Sequence, residues 1–151
     1  VDAYYQRAFE ELDLDIPGDL RLRAARATQG SPYMLQLIGY NIGNRCKTGE
    51  HVTPEQVDGA IEASKADFEN DVCETTLAAL SDQDVAFLDA MTDDEDAVSR
   101  ISDVAKRMSV TPDYAQKYRR RLIDAGVIEQ ARRGYVRFAV PYMADYLRSQ
   151  L

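Results

Sequence analysis

Residues 111–141 read TPDYAQKYRRRLIDAGVIEQARRGYVRFAVP, and the order of signals in this stretch decides the fold of the C-terminal half. Thr111 precedes Pro112, a residue suited to the first helical position because its missing N–H would have no partner there. A helical pattern runs from there to Asp124, and Ala125-Gly126 ends it, glycine accepting the left-handed exit. At 100° per residue, Tyr114, Ala115, Tyr118, Leu122 and Ala125 gather on one side, which is the predicted core face. Asp113, Gln116, Lys117, Arg120 and Asp124 fall opposite, with Arg119 and Arg121 on the flanks. Val127-Ile128 and Tyr135 to Val140 have strand character, so Arg132-Arg133-Gly134 is predicted to be the turn of a hairpin that Pro141 closes.

Working outward, Ser81-Asp82-Gln83-Asp84 opens an upstream helix carrying Val85, Phe87, Leu88 and Met91. Thr92 to Asp96 forms an acidic loop predicted to be solvated, and Ile101, Val104, Ala105 and Met108 mark a helix of about two turns. Downstream, Tyr142 to Leu151 is predicted to pack Met143, Tyr146 and Leu147 back onto this module. Helix, short helix, tight turn, helix and basic hairpin is the order of a winged helix-turn-helix domain, assigned to residues 81–151.

Residues 1–80 read as a small helical bundle. Tyr5, Ala8, Phe9 and Leu12 recur at helical spacing until Ile16-Pro17-Gly18 breaks the pattern. Asp19 is the expected cap of a second helix that ends at Gln29-Gly30. Ser31 caps a third, with Pro32 at its first position, and its apolar content predicts the most buried helix of the bundle. Thr53-Pro54-Glu55-Gln56 starts a fourth with a capping box, and Val57, Ile61, Ser64, Phe68 and Val72 form one stripe along it towards the next module. The fold class expected is therefore mainly α: a helical bundle followed by a winged helix with a short β-hairpin.

Charge divides the chain unevenly. The formal net charge is −8, yet Ser99 to Phe138 holds ten Lys/Arg against four Asp/Glu. A basic segment within an acidic chain localises any attraction for phosphate to that segment. No apolar run approaches the roughly 20 residues that span a bilayer, and no signal-peptide pattern opens the chain, so a cytoplasmic protein without membrane contact is expected. Val1 opens without an initiator Met, directly in a helical pattern, which points to the C-terminal piece of a longer protein. Cys46 and Cys73 stand apart without CxxC spacing, and His51 is the one histidine, so the residues point to neither zinc nor a disulfide framework. His51 reads as an exposed loop residue. No nucleophile, acid or base stands in a pattern that carries catalysis, and no enzyme activity is expected of the chain itself.

Two kinds of contact are open to the predicted reading helix. Gln116 and Arg120 are placed to read base edges, since Gln pairs bidentately with adenine and Arg with guanine. Lys117, Arg119, Arg121 and the hairpin-tip Arg132 and Arg133 are the candidate phosphate contacts. Against double-stranded DNA stands a docking role, because Asp113 and Asp124 share the reading face and arginine-rich helix faces are often merely solvated.

The stretch Gly30-Ser31-Pro32-Tyr33-Met34-Leu35-Gln36-Leu37-Ile38-Gly39 resembles the lid segment of bacterial AAA+/STAND-like ATP-binding proteins, in which Gly-x-Pro-Tyr-x-x-Gln-x-x-Gly starts a lid helix. Phe87 to Met91, Tyr118 to Gly126 and Phe138 to Pro141 are similar to the winged helix that follows that lid. The resemblance implies that Gly30 and Pro32 lie near a nucleotide, ATP or ADP with magnesium, held by an ATPase core elsewhere in a longer chain. The residues alone favour Pro32 as a plain first-turn proline. No GxxxxGK[ST] loop or strand ending in paired acids occurs, so no cofactor is expected in this piece and no hydrolysis. The partners implied are that core, double-stranded DNA, or a protein docked as in STAND-type switches. A free-standing transcription regulator is the remaining reading.

Overall fold

The computed structural model describes residues 1–150, a mainly helical chain with one small three-stranded antiparallel sheet. Two compact units divide it, Val1–Phe68 and Glu69–Leu151. The boundary falls near Phe68 rather than near Leu80 as the sequence pattern had placed it. Residues 69–80 join the second unit for a packing reason: the buried Cys73 points its thiol at the Pro141 carbonyl, 3.8 Å away. Among the described residues no helix is long and apolar enough to cross a membrane.

In the first unit, α1 (Asp2–Glu11), α2 (Gly18–Ala27), α3 (Pro32–Arg45) and α4 (Pro54–Phe68) surround one core. Met34, Ile38 and Ile42, one turn apart on α3, are wholly buried beside Tyr5 and Phe9 of α1 and Val57, Ala60 and Phe68 of α4. The Tyr5 and Phe9 rings stack at 5.3 Å, and the Tyr5 hydroxyl donates to the Leu35 carbonyl at 2.8 Å, which lets a tyrosine be buried without an orphan polar atom. Burial of α3 is one-sided, because Tyr33 and Tyr40 stand 45% and 68% exposed on its other face.

Helix starts follow local chemistry at Ser31, whose Oγ accepts from Met34 N–H, and at Thr53 and Gln56, which exchange backbone and side-chain bonds at 2.9 and 3.2 Å. At α2 the expectation fails. Pro17 is the capping position, without a side-chain bond, and Asp19 lies inside the first turn, where its charge favours the helix N-terminus instead. His51 is exposed as expected, but it is tied to Asp15, its Nδ1 lying 2.8 Å from Oδ2, within a short bridge that Val52 N–H extends to the Asp15 carbonyl.

The second unit begins with a π-helical turn, Glu69–Cys73, and continues through α5 (Glu74–Ala78), α6 (Asp82–Met91), β1 (Val98–Arg100), α7 (Ile101–Met108), α8 (Pro112–Asp124), β2 (Ile128–Arg132), β3 (Tyr135–Phe138) and α9 (Met143–Ser149). Phe87, Leu88, Met91, Val104, Leu122, Ile128, Val136 and Met143 fill its core. The sheet order is β1-β3-β2, with Ser99 opposite Val136 and Ile128 opposite Phe138. β1 is absent from the sequence reading because three residues are too few to show a period of two. The second hairpin strand stops at Phe138 rather than Val140.

The acidic loop exposes Asp93, Glu95 and Asp96 as its composition predicts, and Asp94 is the acid drawn in. Arg107 grips Asp94 with two bonds of 2.6 and 3.0 Å, and Arg148 donates to the Thr92 and Asp94 carbonyls. Arg107 also donates to the Ala90 carbonyl at 2.9 Å, so both arginines satisfy carbonyls at or just past the end of α6 that the helix itself leaves open.

Burial pushes the Cys73 thiol up to about 12, with the Glu69 charge adding to the effect. Because the thiolate is the reactive form, alkylation of Cys73 by iodoacetamide at about pH 8 should be far slower than for a free cysteine and should accelerate on adding denaturant. Mass mapping of the labelled peptide checks this, and rapid native labelling would contradict it.

Candidate nucleic-acid interface

The basic face is assembled on α8 and on the hairpin of β2 and β3. Thr111 caps α8, its Oγ1 accepting from Tyr114 N–H at 3.2 Å, and Ser109 in a left-handed conformation (φ 58°) makes the sharp turn from α7. Ala115, Tyr118 and Leu122 are the residues α8 buries. Tyr114 and Ala125, expected on that core face, are exposed, since only the central two turns of the helix are covered. Tyr114 instead sets its hydroxyl 3.2 Å from that of Tyr118.

The outward residues fall where helical geometry puts them. Asp113, Lys117, Arg120 and Asp124 are exposed, whereas Gln116 is half-buried. Lys117 places its ammonium 5.6 Å from the centre of the Tyr118 ring. Arg119 is half-buried and donates to the side-chain carbonyl of Gln130 on β2 at 3.1 Å. Gly134, at φ +80°, supplies the left-handed residue that turns the hairpin, leaving Arg133 exposed at its tip. A bulge between Gln130 and Arg132 brings Arg132 opposite Tyr135, and the guanidinium lies over that ring at 3.9 Å.

Arg121 stands apart. Its Nε and Nη2 donate to the two carboxylate oxygens of Asp84 at 3.1 and 3.0 Å, and Asp84 is 1% exposed. The same carboxylate accepts from the Ser81 N–H and hydroxyl at the start of α6. Hydrogen bonds from Arg121, outweighing the cost of burial, hold the Asp84 carboxyl below the usual carboxylate range. Helical period alone does not reveal this clamp: it puts Arg121 among the phosphate contacts and Ser81 to Asp84 at a helix start. The capping box at Ser81 and Asp84 was the one local signal pointing to it. Lys117, Arg120 and Arg133 have no carboxylate within ion-pair distance among the described residues, while Arg137 pairs with Glu129 across the hairpin at 2.6 Å.

Residues 70–147 match a family described as Domain of unknown function (DUF8462), a span of just over half the chain. The chain belongs to this family. No curated protein and no solved structure matches the chain. The DUF8462 span takes in α8, the hairpin and the Asp84–Arg121 clamp together, and leaves Gly30 and Pro32 outside it.

At that other candidate segment, Gly30 adopts φ +75° and Pro32 is exposed at the first turn of α3. The Gly30 N–H donates to Thr28 Oγ1 and the Met34 N–H to Ser31 Oγ, so these donors are engaged within the chain. The segment therefore presents an exposed proline at a helix start whose neighbouring N–H donors are already taken. Among the described residues no group of three or more His, Cys, Asp and Glu side chains is arranged to hold a metal ion.

Proposed function

We propose that the second unit is a winged helix-turn-helix that binds the phosphate backbone of double-stranded DNA through α8 and the β2-β3 hairpin. The order α6, β1, α7, α8, β2, β3, with β3 central in the sheet, supports the winged-helix reading. The observation that carries the DNA reading is the pairing state of the cations. Lys117, Arg120 and Arg133 are exposed without acidic partners, and Arg119 and Arg132 rest on uncharged groups, so five positive charges stay uncompensated on one helix and one hairpin. Arg121, neutralised by Asp84, is left out of the contact set.

Five phosphate contacts give a slope of log affinity against log salt of about −4.5, so binding should weaken by between two and three decades from about 50 to 200 mM salt. Fluorescence anisotropy with a mixed-sequence duplex measures this. Arg120→Ala should cost roughly 1–3 kcal/mol at a preferred base, if Arg120 reads guanine, against a uniform loss if it meets phosphate. No binding at about 50 mM salt, where electrostatic attraction is strongest, would defeat the reading.

A second reading has its own observation: Asp113 and Asp124 are exposed on the outward face of α8 and oppose a phosphate chain at both ends of it. In that reading the unit docks a protein, as a regulatory module of a STAND-type switch. Binding to an isolated ATPase core with no duplex binding would favour it.

For the first unit we propose the lid of an AAA+-like ATP-binding protein, on the resemblance carried by Gly30, Pro32 and Gly39 and on the exposure of Pro32. In a chain that also carries a phosphate loop, Pro32→Ala should weaken nucleotide affinity. The present chain, lacking that loop, should release no phosphate from ATP above a no-protein control. Turnover retained after repurification would refute this.

A further inference from the structure

Six arginines of the second unit are held by a partner, and they fall into two sets by the chemistry of what holds them. Arg107, Arg121, Arg137 and Arg148 are bound to the carboxylates of Asp94, Asp84, Glu129 and Asp145. Arg119 and Arg132 are held just as definitely, but by an amide oxygen at 3.1 Å and an aromatic face at 3.9 Å. A carboxylate partner cancels the charge of an arginine, whereas an amide or a ring restrains the side chain and leaves the full charge for an anion. Both restrained arginines lie on the face proposed to meet DNA, and the ordering of a long side chain before contact lowers the entropic cost of binding.

We propose that Gln130 and Tyr135 are positioning residues of this interface, holding Arg119 and Arg132 in place for phosphate while leaving them charged. The proposal rests on the DNA reading above. The bulge in β2 serves it directly, since skipping one residue is what sets Arg132 opposite Tyr135. Gln130 is exposed on the same strand and has no burial role to explain its bond to Arg119.

Gln130→Glu is the discriminating substitution, because it keeps the shape and the hydrogen bond but turns the neutral partner into an acid. In the complete chain, with a short mixed-sequence duplex at about 50 mM salt, it should weaken affinity roughly three- to tenfold and flatten the salt slope by about 0.9, the loss of one phosphate contact. In an Arg119→Ala background the same change should have little further effect. Tyr135→Leu should weaken binding similarly, and Tyr135→Phe, which keeps the ring, should not. Thermal melts identify any variant that fails to fold. Should Tyr135→Leu prove unfolded, the Gln130 pair decides alone, as Gln130 is exposed. Unchanged binding by Gln130→Glu, or an equal loss with and without Arg119, overturns the positioning role. Absence of binding by the unsubstituted chain overturns the DNA reading and this role with it.

Discussion

Reversing four charges together, Lys117→Glu, Arg120→Glu, Arg132→Glu and Arg133→Glu, is expected to lower affinity for any duplex by at least about three decades at low salt. Each reversal removes one released counterion and adds one repulsion, so the residual salt slope should fall to about −1, the share left to Arg119. All four side chains are exposed and off the core face formed by Ala115, Tyr118 and Leu122. Stability should therefore move little, by about 0.5 kcal/mol for each substitution or less. Anisotropy titrations and urea unfolding of the same preparation separate the two effects. Binding that survives all four reversals would move the interface away from α8 and the hairpin and leave the docking role as the better account of this unit.

The second large effect is on folding. Asp84→Ala should destabilise the second unit by about 2–3 kcal/mol, because it removes the reciprocal cap at Ser81 and strips Arg121 of a doubly bonded, buried partner. Asp84→Asn keeps the volume and should lose less. The pH dependence has a definite sign. The native carboxyl lies below its ordinary value, so the folded state binds that proton more weakly than the unfolded chain does. Its contribution is complete above the ordinary aspartate value of about 4 and disappears as pH falls through the depressed native value. Asp94, lowered by the hydrogen bonds from Arg107, acts in the same direction. Urea unfolding at about pH 7 and pH 3 should show the gap between parent and Asp84→Asn narrowing at the lower pH. A gap of constant size would assign Asp84 a purely steric role.

Arg121→Ala offers a cross-check between the two effects. If the Asp84 clamp is the role of Arg121, the substitution lowers the melting temperature and leaves the salt slope for DNA unchanged. A slope reduced by about one unit with stability intact would return Arg121 to the phosphate contacts.

What the sequence determined by itself is local. Ser31-Pro32, Thr53 with Gln56, and Thr111-Pro112 start helices, because a capping side chain and a proline without N–H act within one turn of where they stand. Gly134 turns the hairpin for a reason internal to its own backbone, a φ of +80°. The outward positions of Lys117 and Arg120 follow from helical period alone. The tertiary structure decided everything that depends on a partner distant in the chain. β1 is a strand only because Val98, Ser99 and Arg100 meet β3, some 35–39 residues on. Tyr114 lies on the expected core face of α8 yet is exposed, since nothing packs against the first turn of that helix closely enough to cover it. Arg119, Arg120 and Arg121 are identical in one-letter code and adjacent, but one meets a neutral amide, one meets solvent and one meets a buried carboxylate 37 residues away. Local sequence sets the direction in which each arginine leaves the helix; only the folded chain sets whether a charge is waiting there.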